Sequence, residues 1–260
     1  IFCLIKFCSS LKRPWLALTA AFPYFIIVVA MGYTRQAVGI SICLIALLNF
    51  EKGKFYRSIL IILFATTFHR SALLFLFAPI STFFDLKTEN NRLSKQILIR
   101  ILASLPVVYL FLNNFITQRF EYFRYGYLEQ GMSSNGSLIR VILCVIPSVI
   151  FLFTSKDFNF SKPYKRMWQL IAFMSIISLI LLLVGIPSTA IDRIALNFIP
   201  IQIIVSAYLP DIRFLNLSPF TLKILIIFFS LLIMLVWLSF AVNANCWLPY
   251  TNILFNIQSE

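Results

Sequence analysis

The single histidine of the chain, His69, adjoins Arg70 at the junction of two short apolar runs, SILIILFATTF and SALLFLFAPISTFF. An ionisable side chain is costly to place in apolar surroundings, and such residues usually face a cavity or a partner. Because the ordinary pKa of histidine is about 6.5, a neutral His69 could accept a proton from an attacking hydroxyl group. We therefore predict a functional role for His69 and Arg70, with a purely structural histidine as the alternative.

Two further arginines occupy very short turns between apolar segments. Arg35 and Gln36 follow the run FIIVVAMGYT, and Arg193 follows Asp192 in GIPSTAIDRIALNF. A guanidinium group holds phosphate oxygens in a fixed two-pronged geometry, which favours Arg193 over Asp192 as the functional member of that pair. The alternatives are an interfacial Arg35 that extends to lipid headgroups and a local Asp192–Arg193 ion pair that closes the turn.

Three more arginines, Arg119, Arg124 and Arg140, lie in or beside the longest connection, residues 114–137. Connections of this length in compact proteins are usually functional lids or disordered segments. The many aromatic residues, Tyr125 among them, favour a lid whose arginines and tyrosine contact the substrate. A solvated surface is the alternative for the three arginines.

Membrane helices must position these residues. The chain is 60% hydrophobic and 12% charged, more apolar than a soluble domain of 260 residues could cover with polar surface. Continuous apolarity, without alternation from one residue to the next, indicates an all-α polytopic bundle. A span needs about 20 apolar residues. The candidate spans are 15–33, 37–50, 97–113, 138–154, 168–186, 194–209 and 220–242.

Residues 58–84 complete this bundle as two short arms on either side of His69 and Arg70. At about 1.5 Å rise per residue, neither arm easily spans a bilayer alone, so we expect two short helices or a re-entrant hairpin. The predicted fold is a single transmembrane domain, 1–260, with about nine membrane segments and one long outer loop, 114–137. We also expect further helices before its N terminus.

The basic residues predict the orientation. If the N-terminal segment lies in the cytoplasm and the sides alternate, all ten lysines fall inside, as the positive-inside rule requires. The six arginines that fall outside are Arg35, Arg70, Arg119, Arg124, Arg140 and Arg193. The positive-inside rule disfavours lysine and arginine equally on the outer side, so the presence of arginine alone needs a separate reason. Binding of a phosphate-bearing lipid is the simplest one, because a guanidinium group matches phosphate geometry.

Composition excludes several classes of partner and cofactor. The net charge of +13 is spread over inter-helix loops and is explained by topology, so we expect no nucleic acid partner. The predicted outer side lacks an acidic pair of the kind that binds Mg²⁺ or Mn²⁺, and the five cysteines have neither disulfide nor zinc spacing. We therefore expect chemistry without a metal or a cofactor.

The region 15–210 resembles the EpsG-type branch of the bacterial exopolysaccharide and O-antigen polymerases, the Wzy-like proteins. The similarity lies first in GYTRQAVGISICLIALLNFEKGKFYRSILIILFATTFHRSALLFLFAPI, where an RQ pair opens a helix, a basic inner loop follows and an apolar helix ends in FH. It continues in DRIALNFIPI, which resembles the family's arginine-bearing outer turn, and in the aromatic loop before Leu138. Two positions depart from the pattern. Arg70 stands where a small residue or lysine is commoner, and Gly39 stands where RQ is often followed by two small residues.

The resemblance implies transfer of a growing glycan from an undecaprenyl pyrophosphate carrier to another lipid-linked repeat unit, at the periplasmic face of the inner membrane. It also implies membrane lipids, a chain-length regulator and a flippase as partners. The expected catalytic residues are His69, Arg35 and Arg193, because arginines would stabilise the departing pyrophosphate and His69 would act as base or orienting group. The expected substrate-binding residues are Gln36, Arg70, Arg119, Arg124, Tyr125 and Arg140.

Three other functions are alternatives. A flippase or transporter of lipid-linked sugars would carry polar residues at midplane depth on several helices, where this chain has few, namely Asn197, Gln202, Ser175 and Ser178. A membrane acyltransferase would use His69 as its base, but the predicted inner loops contain no motif for a thioester cofactor. A non-catalytic scaffold gives no reason for an ionisable pair between two short helices.

Overall fold

The computed structural model describes residues 1–80, 134, 136–212, 216–241 and 244, and all regular structure in these ranges is helical. In chain order the α-helices are α1 (Phe2–Ser9), α2 (Pro14–Ala21), α3 (Thr34–Glu51), α4 (Phe55–Phe68), α5 (Phe77–Ile80), α6 (Ser137–Thr154), α7 (Lys162–Leu183), α8 (Ser188–Ala195), α9 (Pro200–Tyr208) and α10 (Pro219–Phe240). A π-helix, Phe22–Ala30, continues α2, and 3-10 segments occur at Arg70–Leu76, Leu196–Phe198 and Leu209–Asp211.

Four helical stretches of the described residues are long and apolar enough to cross a membrane. They are Ser137–Thr154, Lys162–Leu183, Ser188–Asp211 and Pro219–Phe240, and each overlaps a predicted span. The protein is therefore membrane-embedded, and the part of it that the structure describes is all-helical, as the composition indicated. The predicted spans 15–33 and 37–50 are also helical, whereas 97–113 and nearly all of 114–137 lie outside the described residues.

The stretch Ser188–Asp211 forms the centre of the bundle, because almost all of its residues are buried. Helices α2, α6 and α7 pack around it. By contrast, α10 lies at the periphery and buries few of its large apolar side chains, as a helix in contact with lipid would. The functional residues predicted around position 193 therefore belong to the most buried of these four helical stretches.

Helices α3 and α4 form a tightly packed hairpin. Gly53, with a φ of +71°, provides the left-handed residue that the short turn between them needs. The buried hydroxyl of Ser58 donates to the carbonyl of Ala46 at 2.9 Å and so holds the two helices together near this turn. Because the hairpin folds back on itself, the start of α3, with Arg35, lies beside the end of α4, where His69 follows.

At the opposite end of the bundle, two basic side chains contact one carboxylate. The Nε atom of Arg13 donates to Oδ2 of Asp211 at 2.9 Å, and Lys12 Nζ lies 3.5 Å from the same oxygen. This contact connects the segment between α1 and α2 to the end of the central stretch, on the side that the lysine pattern assigns to the cytoplasm.

Candidate functional site

His69 lies where helix α4 stops. Its backbone is extended, with φ of −151° and ψ of 126°, and the chain continues directly as the 3-10 helix Arg70–Leu76. The predicted arrangement of short helices on both sides of His69 is therefore present. Gly39 of α3 passes close behind this residue, since a Cβ added at Gly39 would lie 3.4 Å from the Cβ of His69. The imidazole is half-buried at this junction.

A chain of hydrogen bonds joins His69 to the central stretch. The Nδ1 atom of His69 lies 2.7 Å from the hydroxyl oxygen of Ser71, which in turn lies 2.9 Å from the side-chain oxygen of Asn197. Asn197 is only 2% exposed, and its amide nitrogen donates to the backbone carbonyls of Arg193 at 3.2 Å and Ile194 at 3.1 Å. The orientation of the histidine ring is thus tied to a buried part of the bundle.

Gln36 connects α3 to the same network. Its side chain is 3% exposed, and its amide nitrogen donates to the carbonyl of Arg193 at 2.8 Å and approaches the hydroxyl of Ser71 at 3.4 Å. Three segments that are far apart in sequence, the start of α3, the segment after α4 and the end of α8, therefore meet at one polar cluster. We call Gln36, His69, Ser71 and Asn197 the polar junction.

Positive charge surrounds the polar junction. Arg35, Arg70 and Arg193 are all exposed, and each adjoins a segment that forms the junction. Burial lowers the pKa of His69, and the positive charges of Arg193 and Arg35 lower this pKa further. His69 lies in the connection between α4 and the following 3-10 helix, and its neutral form is the favoured one. A neutral imidazole beside exposed guanidinium groups is suited to accept a proton next to an anionic group.

Arg140 lies apart from the polar junction, in a buried ion pair with Asp192. Its Nε atom donates to Oδ1 of Asp192 at 2.6 Å, with side-chain exposures of 8% and 4%. The guanidinium also lies 5.8 Å above the centre of the Trp237 ring and contacts the hydroxyl of Ser134. Asp192 is therefore paired with α6 rather than with its neighbour Arg193 in a local turn, and Arg193 stays exposed.

The structure thus brings together Arg35, Gln36, His69 and Arg193, while Arg70 is next to His69 along the chain. The other predicted substrate-binding residues, Arg119, Arg124 and Tyr125, lie outside the described residues. Ser71 was not among the predicted site residues, and Asn197 was named only as one of the few polar residues at midplane depth. The sequence signal that could have found them is that Ser71 and Asn197 are polar residues in otherwise apolar segments. Such side chains need hydrogen-bond partners when they are buried.

Potential metal ligands do not gather in the described part of the chain, where no group of three His, Cys, Asp or Glu side chains could hold an ion. The cysteines there, Cys3, Cys8, Cys43 and Cys144, are free thiols, and the last three are buried. The groups available for chemistry at the polar junction are therefore an imidazole, a hydroxyl, amides and guanidinium groups.

Comparison with known protein families gives a match over nearly the whole chain. The model of the EpsG family matches residues 1–252, which is nearly the whole chain and includes every residue of the polar junction. No curated protein and no solved structure matches.

Proposed function

We propose that this chain, which belongs to the EpsG family, is a polymerase that joins lipid-linked oligosaccharide repeat units at the periplasmic face of the bacterial inner membrane. Membership of the family makes it a membrane protein of polysaccharide biosynthesis. The proposed substrates are glycans carried on undecaprenyl pyrophosphate, and the product is a longer O-antigen or exopolysaccharide chain. Proposed partners are a flippase, which supplies these substrates, and a chain-length regulator.

The proposed step is the displacement of a lipid pyrophosphate by a sugar hydroxyl. The acceptor oxygen forms a bond to the anomeric carbon of the donor glycan, and the bond from that carbon to the pyrophosphate oxygen breaks. His69 takes the proton of the attacking hydroxyl, and the departing pyrophosphate carries the electron pair of the broken bond. Arg35 and Arg193 stabilise the charge that develops on the leaving group, with Arg70 in support.

The observation that carries this proposal is the combined charge and burial around His69. Its ring is half-buried and its pKa is lowered, first by burial and then by Arg193 and Arg35, so the base is neutral beside fixed positive charge. Positive charge alone would serve a phosphate-binding surface, and a neutral histidine alone would serve a packed core. Their coincidence supports proton transfer next to a pyrophosphate, which needs both.

The decisive experiment substitutes Arg35, His69 and Arg193 singly by alanine in the host strain and analyses surface polysaccharide on gels. We expect each variant to lose its long ladder. Removal of a general base typically costs about 10² to 10⁴ in rate, and removal of one electrostatic donor about 10² to 10³. Unchanged ladders in all three variants would overturn the proposed function.

Arg57→Ala is the matched control. Arg57 is an exposed arginine near the start of α4, twelve residues before His69 and therefore about 18 Å away along the helix axis. We expect Arg57→Ala to retain a normal ladder, which would show that loss of one arginine does not by itself impair insertion or assembly.

The form of the residual glycan separates the polymerase from the flippase and from the acyltransferase. Loss of a polymerase leaves single repeat units on the outer face, whereas loss of a flippase leaves none there. Loss of an acyltransferase leaves ladder length unchanged and removes only acyl groups. We expect single repeat units.

A further inference from the structure

We propose that Ser71 and Asn197 are positioning residues that hold His69 as the tautomer protonated at Nδ1, which leaves Nε2 as the basic atom. This inference rests on the proposed function of His69 as a base. The structural basis is a chain of hydrogen bonds with a single direction, from the imidazole of His69 through the hydroxyl of Ser71 to the buried amide of Asn197. We call this chain the relay.

The direction of the relay is set at Asn197. Its amide nitrogen contacts two backbone carbonyls, those of Arg193 at 3.2 Å and Ile194 at 3.1 Å, and carbonyl oxygens only accept hydrogen bonds. Rotating the amide by half a turn would place the Asn197 oxygen against these acceptors. The side-chain oxygen of Asn197 must therefore point toward Ser71, where it can only accept.

The next step follows at Ser71. A hydroxyl group has one hydrogen to donate and two lone pairs to accept. The Asn197 oxygen, 2.9 Å away, takes that hydrogen, so the Ser71 oxygen can only accept from its other neighbours. One of these is the Gln36 amide nitrogen at 3.4 Å, and the other is His69 Nδ1 at 2.7 Å. Nδ1 must then carry a proton.

A competing contact exists but is weaker. The backbone N–H of Ser71 lies 3.3 Å from Nδ1 and would donate to an unprotonated nitrogen. That arrangement would turn the Ser71 hydroxyl toward Nδ1 and leave the oxygen of the 2% exposed Asn197 without its donor. A buried acceptor without a partner is unfavourable, so the arrangement that satisfies the Asn197 oxygen is the preferred one.

The consequence for catalysis concerns the other nitrogen. In the described part of the chain, the hydrogen-bond contacts of the imidazole are made through Nδ1. With Nδ1 protonated, the lone pair of the ring is at Nε2, which leaves this atom free to take the proton of an incoming hydroxyl. The relay also fixes the ring plane, because Asn197 belongs to the buried central stretch.

The test is nitrogen NMR of protein labelled with ¹⁵N-histidine. His69 is the only histidine, so a protein purified with a histidine-free tag gives the signals of a single imidazole. The spectrum is recorded at about pH 7.5, roughly one unit above the ordinary pKa. We expect a protonated Nδ1 and an unprotonated Nε2 in the wild type. A wild-type spectrum with the proton on Nε2 would overturn the relay, and this measurement needs no substitution.

Three variants complete the test. Ser71→Ala removes the acceptor of Nδ1, and Asn197→Ala frees the Ser71 hydroxyl to donate to Nδ1, so both should move the proton toward Nε2. Ser71→Thr keeps the hydroxyl and should keep the wild-type signals. In a polymerisation assay we expect Ser71→Ala to lower kcat about ten- to a hundredfold with little change in KM, and Ser71→Thr to restore it. Spectra of Ser71→Ala and Asn197→Ala identical to wild type would overturn the relay.

Failure of the relay and failure of the proposed function give different results. If His69 carries its proton on Nε2 while His69→Ala abolishes the ladder, the polymerase stands and the relay is wrong. If the proton is on Nδ1 but the ladder stays intact in His69→Ala, Arg35→Ala and Arg193→Ala, the proposed function is overturned and the relay loses its catalytic meaning.

Discussion

Breaking the Arg140–Asp192 ion pair should destabilise the fold, and removing both charges should restore most of the loss. The pair is a direct contact of 2.6 Å between two side chains that are 8% and 4% exposed. Arg140 also lies over Trp237, so the guanidinium is enclosed by apolar surface on one side. A charge left alone in this environment has little water to solvate it.

The magnitude follows from that burial. Two unit charges about 4 Å apart attract each other by about 4 kcal/mol at the effective dielectric constant of about 20 that suits protein sites. Removal of one partner of a buried pair typically costs about 3–5 kcal/mol, because the remaining charge is uncompensated. This cost corresponds to a change of about a hundredfold to a few thousandfold in the folding equilibrium. Replacing both partners typically costs far less, because neither charge is then buried.

The assay is a double-mutant cycle of Arg140→Met and Asp192→Asn, measured as resistance to thermal denaturation in detergent micelles. We expect both single variants to denature well below the wild type and the double variant to recover most of the difference. Arg57→Met, at an exposed position, should be close to wild type and serves as the control. A double variant whose loss equals the sum of the single losses would refute the reasoning.

The same cycle tests the predicted contact of Arg140 with substrate. If Arg140 acts only through Asp192, the stable double variant should still make long polysaccharide. If Arg140 binds substrate directly, the double variant should be stable yet unable to polymerise.

Two further predictions concern His69. In an NMR titration of this histidine, the pKa should lie below its ordinary value of about 6.5, because burial and neighbouring positive charge disfavour the protonated form. Arg193→Ala removes a positive charge and should therefore raise the pKa, and a fall or no change would contradict this electrostatic account. At Gly39, an added Cβ meets the Cβ of His69 at an ordinary 3.4 Å, so Gly39→Ala should keep a normal ladder, whereas the larger Gly39→Val should displace His69 and lower polymerisation about tenfold or more. Equal ladders for Gly39→Ala and Gly39→Val would show that this close approach does not position the histidine.

The membrane helices could be predicted from sequence because a span is a local property. A run of apolar residues identifies α6 or α10 without knowledge of its neighbours. The position of His69 at a helix break could be predicted for a similar reason, since an ionisable pair interrupts an apolar run. The π-helix Phe22–Ala30 could not, because nearly every residue there is apolar and no periodicity distinguishes one helical form from another.

Partners in the site could not be predicted, because they are distant in sequence. Asp192 pairs with Arg140 across 52 positions, although its neighbour Arg193 was the obvious local partner. Ser71 and Asn197 are separated by 126 positions. A single sequence contains no information on which two polar residues of a bundle share an interface, so the relay became apparent only with the structure.

Asp192 and Arg193 divide two tasks between adjacent positions of α8. The carboxylate of Asp192 is anchored to α6 through Arg140, which fixes the rotation of the helix about its axis. The carbonyl of Arg193 accepts from Gln36 at 2.8 Å, which holds its backbone against α3, and it also accepts from Asn197 of the same stretch at 3.2 Å. The guanidinium of Arg193 remains exposed. The two contacts hold the backbone of Arg193 beside the polar junction, and under the function we propose this places its guanidinium near the departing pyrophosphate. Under the same proposal, Asp192 helps to position α8 and takes no part in the chemistry of Arg193.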